Sequence, residues 1–102
     1  MTLVYEVILS KQAKKDFDEL ERSGYGNKAR ELLNILVADP FQNPPKYKKL
    51  RGEVEGSFSR RISAEHRLVY DVIRSENDAF QGTVIVHRLR THYKGVIPAY
   101  FF

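Results

Sequence analysis

The chain has 102 residues, of which 42% are hydrophobic and 29% are charged, with four prolines and six glycines. This composition is typical of one folded domain and not of a disordered chain. No cysteine is present, which excludes a disulfide scaffold, a cysteine-ligated zinc site and a thiol nucleophile. No apolar run approaches the ~20 residues of a membrane span, and residues 1–6 lack the pattern of a signal peptide. A cytoplasmic protein with no membrane association is therefore expected.

Positive charge is concentrated in the second part of the chain. Residues 1–45 hold 6 basic and 7 acidic side chains, whereas residues 46–102 hold 11 basic and 6 acidic ones. A near-neutral part joined to a basic part favours a scaffold that carries an anion-facing surface. A well-solvated basic face explains the same numbers, so charge alone does not choose between these interpretations.

The first part of the chain predicts a strand followed by two helices. Residues 3–9 are β-branched and aromatic, as in a strand, and Ser10 is a suitable N-cap for a helix over Lys11–Arg22. Asp16 falls on the expected solvent-facing side of that helix. A second apolar stripe predicts a helix over about Asn27–Val37, and the short turn between the two indicates an antiparallel helical hairpin.

A loop and three strands are predicted to follow. Residues 40–56 are read as a long basic loop, and alternating patterns predict strands over Ser57–Ser63, Arg67–Arg74 and Phe80–Thr91. The order β-α-α-β-β-β predicts an α+β fold for a single domain over residues 1–102. In it, the helical hairpin packs on one face of a mainly antiparallel four-stranded sheet.

The other face of this sheet is predicted to carry a shallow cationic groove. The two-residue period of the strands places Arg61 and Arg67 beside serines and opposite the apolar side chains. Arginines with a histidine suit cleavage of an RNA phosphodiester without a metal. That reaction needs a base for the 2′-hydroxyl, cations for the charged phosphorane and an acid for the departing 5′-oxygen. Each residue also has a structural interpretation: the two arginines as cross-strand partners of Asp71 or Glu65, and His92 as a surface residue.

The remaining histidines offer little support for a cofactor. His66, His87 and His92 lack the spacing of a metal site, and no glycine-rich phosphate loop is present, so neither a cofactor nor a metal is expected. His87, inside the last predicted strand, is interpreted as structural or partner-facing. Tyr70 falls on the core face and is interpreted as packing.

The stretch LRGEVEGSFSRRISAEHRLVY over residues 50–70, with His92-Tyr93 later, resembles the YoeB/Txe branch of the RelE/ParE superfamily of bacterial toxins. The resemblance is strong over residues 46–93 and loose over residues 1–40. It implies a RelE-like fold and an endoribonuclease that cleaves mRNA in the ribosomal A site. It also implies neutralisation by a Phd/YefM-type antitoxin.

The resemblance further implies roles for individual residues. Arg61 and Arg67 match arginines that stabilise the phosphate, His92 matches the general acid, and Tyr93 matches a tyrosine that orients the substrate. The residues expected to bind RNA share a positive charge and comprise Lys46, Lys48, Lys49, Arg51 and Arg60.

The general base is the point of departure from the family pattern. Lys48 stands where the family usually has a glutamate, and a protonated lysine cannot accept a proton. Three alternatives stay open: Glu65 acts as the base, Lys48 or Lys49 acts as the base with a lowered pKa, or catalysis is weak or lost.

Two further alternatives concern the tail and the function. Residues 94–102 extend beyond the usual family end and are interpreted as packing on the body, forming a homodimer or antitoxin contact, or obstructing the groove. The alternative functions are a non-catalytic ParE-like inhibitor of a protein target such as DNA gyrase, or a degenerate toxin that retains only antitoxin binding.

Overall fold

Two helices lie against one face of a five-stranded sheet in the computed structural model, which describes residues 4–49, 57–74 and 79–89. The elements in chain order are β1 (Tyr5–Leu9), α1 (Lys11–Arg22), α2 (Gly26–Ala38), β2 (Tyr47–Lys49), β3 (Ser57–Arg61), β4 (Arg67–Arg74) and β5 (Gly82–Arg88). The predicted α+β class and the helical hairpin are confirmed.

The strands are ordered β1-β5-β4-β3-β2. β1 pairs in parallel with β5, and every other pairing is antiparallel. The sheet therefore has five strands and not the four predicted, because β2 forms inside the region that was read as a loop. It is an edge strand, since it ends the strand order and pairs only with β3, with Lys48 opposite Ser59. Lysine-rich edge strands lack the apolar alternation on which a sequence-based prediction depends.

Ser10 joins the start of α1 to the sheet. Its Oγ accepts a hydrogen bond from the Ala13 amide at 3.0 Å and donates one to the His87 carbonyl at 3.0 Å. The predicted N-cap is therefore confirmed, as are the bounds of α1. Between the helices Gly24 has φ of +89°, a conformation that favours glycine over other residues and that turns the chain into α2.

The core lies between the helices and the centre of the sheet. It is formed by apolar side chains of α1, α2, β4 and β5, among them Leu20, Leu32, Leu36, Leu68, Val84 and Val86. Tyr70 is fully buried in this core, as predicted, and its hydroxyl donates to the Pro40 carbonyl at 2.7 Å. Burial raises the pKa of the Tyr70 phenol above its ordinary value.

Asp16 is buried, so its predicted place on the surface of α1 is wrong. Its carboxylate accepts hydrogen bonds from Arg88 Nε at 2.8 Å and from the Leu89 amide at 3.1 Å, which fastens α1 to the end of β5. Burial by itself would raise the pKa of Asp16. The hydrogen bonds from Arg88, Gln12 and Leu89 outweigh that effect, and the pKa lies below its ordinary value.

Candidate functional site

The sheet face turned away from the helices, here called the distal face, carries mostly polar and charged side chains. Residues that pair directly across antiparallel strands share a face, and the register pairs Lys48 with Ser59, Ser59 with Val69, and Arg61 with Arg67. Alternation along β3 and β4 also places Ser57, Asp71 and Ile73 on the distal face.

Four cations come together on this face. Lys46, Lys48, Arg61 and Arg67 line a groove of about 360 Å³, here called the cationic groove, and no carboxylate is among its described lining residues. Each cation comes from a different position: the end of the loop before β2, β2 itself, the end of β3 and the start of β4. Four cations at separate positions suit an extended ligand that carries several negative charges.

The two groove arginines are held differently. Arg67 donates from Nε and from a terminal nitrogen to Ser59 Oγ, at 3.2 and 3.0 Å, so its guanidinium is fixed over β3. Arg61 is exposed and makes no side-chain hydrogen bond or ion pair with the other residues that the structure describes. Arg61 forms no ion pair with Asp71 or Glu65 within the described ranges, and Asp71 is paired with His87.

Arg60 was expected to bind RNA, and this prediction is wrong. Its side chain is fully buried, and its guanidinium donates to the carbonyls of Pro45 at 2.7 Å, Pro40 at 2.8 Å and Gln42 at 2.9 Å. The cation also lies over the Tyr47 ring, 5.0 Å from its centroid. A guanidinium used in this way holds the loop that leads into β2, and so positions Lys46 and Lys48.

This positioning role was missed by the sequence interpretation, although a signal for it was present. Arg60 lies two residues after Phe58 on β3, and the same two-residue period that places Arg61 on the distal face places Arg60 on the opposite face together with Phe58.

The other predicted site residues are not part of the cationic groove as described. Lys49 pairs with Phe58 and lines a separate cavity with it on the opposite side of the sheet. Glu65 is exposed in the turn between β3 and β4 and is not among the described groove residues. Arg51, His92, Tyr93 and the extension over 94–102 lie outside the described residues.

No group of three or more His, Cys, Asp or Glu side chains in the described ranges is arranged to hold a metal ion. No helix in the described part is both long enough and apolar enough to cross a membrane.

The fold and the groove define a class of protein: a small α+β domain in which a helical hairpin packs on one face of a sheet and the cationic groove lies on the distal face. A family profile described as "YoeB-like toxin of bacterial type II toxin-antitoxin system" matches residues 10–93. The match covers most of the chain, and the chain belongs to this family of toxins. The resemblance found in the sequence is thereby confirmed.

Individual relatives agree with this assignment. The chain is 40% identical over 62 residues to Toxin YoeB of Mycobacterium bovis, a match that covers 61% of this chain and 65% of that toxin. It therefore spans somewhat less than two thirds of the curated toxin.

Solved structures give the same result over more of the chain. A YoeB/ParE toxin from Agrobacterium tumefaciens superposes with a TM-score of 0.73 at 29% identity, covering 86% of this chain and 99% of that one. The toxin in a YoeB-YefM complex from Staphylococcus aureus superposes with a TM-score of 0.67 at 28% identity, covering 87% and 98%. The fold is thus shared with YoeB toxins over nearly their whole length.

Proposed function

We propose that this toxin is an endoribonuclease that cleaves mRNA in the ribosomal A site. The observation that carries the proposal is the cationic groove, in which Lys46, Lys48, Arg61 and Arg67 converge without a carboxylate among the described lining residues. Such a surface attracts a phosphodiester backbone, and arginine binds phosphate through two N–H groups at once. Membership of the YoeB-like toxin family supports the same activity.

Cleavage proceeds by attack of the ribose 2′-hydroxyl on the adjacent phosphorus. Arg61 and Arg67 stabilise the charge that develops on the phosphorane oxygens, His92 donates a proton to the departing 5′-oxygen, and Tyr93 orients the substrate. Lys46 and Lys48 hold flanking phosphates of mRNA or ribosomal RNA. No cofactor takes part in this scheme.

We also propose that a YefM-type antitoxin neutralises the chain, since a YoeB of S. aureus with the same fold is found in a complex with YefM. A segment that covers the cationic groove is expected to carry acidic side chains, because opposite charges are needed to match the four cations.

Another solved structure, that of a YoeB dimer from S. aureus, supports a homodimer of this chain as well. Because its substrate is mRNA on the ribosome, the toxin acts in the cytoplasm.

The proposal is tested by expressing the chain in bacteria and mapping mRNA ends by primer extension. Arg67→Ala is expected to abolish growth arrest and the new ends within translated codons, because a lost transition-state contact costs on the order of 10²–10³ in rate. Arg74→Ala is the matched control, since it removes an arginine of the same strand that lines the cavity on the opposite side of the sheet.

The outcomes separate the proposed function from its alternatives. Growth arrest without new mRNA ends contradicts cleavage and favours the ParE-like inhibitor of a protein target. No arrest from the unmodified chain contradicts cleavage and favours a toxin that retains only antitoxin binding.

A further inference from the structure

A second polar cluster lies on the distal face beside the cationic groove. Ser57 Oγ donates a hydrogen bond to Asp71 Oδ1, and Asp71 Oδ2 lies 2.9 Å from His87 Nε2. The side chains of Asp71 and His87 are each 37% exposed, so the pair is reachable from solvent. These two residues are called the Asp71–His87 pair below.

An irregularity of the sheet lies at His87, beside its contact with Asp71. β4 and β5 pair Val69 with Arg88 but Tyr70 with Val86, so His87 is an extra residue on β5 at this point. A β-bulge of this kind redirects a side chain, and bulges are over-represented next to active sites.

The hydrogen bond to Asp71 determines what the imidazole of His87 can do. With the carboxylate ionised, Nε2 carries the proton and donates it to Asp71, which leaves Nδ1 as the acceptor. Nδ1 has no hydrogen-bond partner among the described residues. A histidine oriented by a carboxylate through one ring nitrogen, with the other nitrogen available, is the arrangement of a general base.

The pair is close to the phosphate-binding part of the groove. Arg67 is bonded to Ser59, whereas Asp71 is bonded to Ser57, two residues earlier on the same face of β3. Two residues along a strand span about 7 Å. A nucleotide whose phosphate is bound at Arg67 is therefore long enough for a neighbouring ribose to reach the pair.

We propose that His87, oriented by Asp71, is the general base that replaces the glutamate missing at Lys48; this inference rests on the proposed ribonuclease function. Nδ1 of His87 takes the proton of the 2′-hydroxyl while the 2′-oxygen forms a bond to phosphorus. The bond from phosphorus to the 5′-oxygen breaks, and that oxygen receives a proton from His92. The products are a 2′,3′-cyclic phosphate and a 5′-hydroxyl. Lys48 then acts as a phosphate contact and has no need to act as a base.

The first test is single-turnover cleavage of mRNA on programmed ribosomes by purified variants. His87→Gln is expected to lower the rate by about 10²-fold or more, because a general base usually contributes that much to the rate of a reaction. Asp71→Asn is expected to lower it by about tenfold, because Asp71 acts only through His87. Thr83→Val is the control, since it removes a side-chain hydrogen bond from the same strand and is expected to leave the rate unchanged. Equal melting temperatures show that the variants are folded.

A second substrate distinguishes a base from a structural residue and from the acid. When sulfur replaces the scissile 5′-oxygen, the leaving thiolate departs without a proton, because thiols are far more acidic than alcohols. His92→Ala is expected to recover most of the wild-type rate on this substrate, whereas His87→Gln stays slow.

Each result bears on the inference. A His87→Gln variant that cleaves normally, or one that is rescued by the sulfur substrate, overturns the role of His87 while leaving the ribonuclease function intact. An unmodified chain that does not cleave either substrate contradicts the proposed function and the inference together.

Discussion

Arg60 and Arg61 are neighbours in the sequence but have opposite environments. Arg60 is buried and binds three carbonyls of the loop before β2, while Arg61 is exposed in the cationic groove. A buried cation is costly unless its N–H groups are satisfied, so Arg60 holds the backbone of this loop in one conformation. The groove cations supplied by the loop and β2 therefore depend on a residue that does not face the groove.

The substitution Lys48→Glu tests whether the groove needs a carboxylate at the position where the family usually has a glutamate. If Lys48 binds phosphate and His87 is the base, Lys48→Glu reverses a groove charge and lowers the rate of mRNA cleavage, by about tenfold. Lys49→Glu makes the same charge change one residue later on the opposite side of the sheet, so a smaller fall is expected. Single-turnover cleavage measures both, and a rate that increases in Lys48→Glu would show that the missing glutamate limits this toxin.

Sequence reasoning placed some site residues and not others for physical reasons. The two-residue strand period was sufficient to bring Arg61 and Arg67 to one face. The Asp71–His87 pair was not predictable, because it joins two strands whose register, with its shift at a bulge, is not recorded in the local pattern of either strand. The burial of Arg60 was implied by the period, but its carbonyl partners are 15 to 20 residues distant in the chain.

At the scale of elements, α1 is joined to β5 by two sets of hydrogen bonds. The Ser10 hydroxyl joins the helix start to the His87 carbonyl, and the Asp16 carboxylate joins the middle of the helix to Arg88 and Leu89. Both contacts act on the segment of β5 that presents His87. The helical hairpin therefore packs on the sheet face opposite the distal face and also holds the end of β5 that is nearest the proposed base.

The Asp16 contact predicts a pH dependence of stability. Because folding lowers the pKa of Asp16, its contribution is fully present above its ordinary value of 3.8 and is lost as pH falls through the folded value. Asp16→Asn is expected to cost about 3 kcal/mol of unfolding free energy at pH 7, with the difference from wild type shrinking below about pH 4. Urea unfolding at several pH values measures this. Asp18→Asn, exposed on the same helix, is the control, and an equal loss in both variants would contradict the role given to Asp16.

The elements that could be predicted are those with strong local patterns. α1 and β4 were predicted with the bounds that the structure shows, because an N-cap and an apolar stripe mark the helix and alternation marks the strand. β2 was missed because its three residues gain their conformation only from pairing with β3. The parallel pairing of β1 with β5 joins the two ends of the described chain, and no local pattern records it.

At the scale of the whole molecule, the near-neutral part and the basic part of the sequence have different roles. Residues 1–45 hold 6 basic and 7 acidic side chains, and the described part of this range contains β1 and the helical hairpin. All four groove cations come from the basic part after residue 45. Part of the positive charge serves the fold, since Arg60 and Arg88 bind carbonyls and Asp16. The groove cations are the part of that charge that we propose binds RNA.

Cleavage of mRNA by 2′-hydroxyl attack in the cationic groove is tested most directly with purified toxin and ribosomes carrying a defined mRNA codon in the A site. We expect a cut within that codon that leaves a 2′,3′-cyclic phosphate on the upstream fragment, present with the wild-type chain and with Arg74→Ala and lost with Arg67→Ala. An mRNA that stays intact with folded wild-type toxin, or an equal cut with Arg67→Ala, would contradict it.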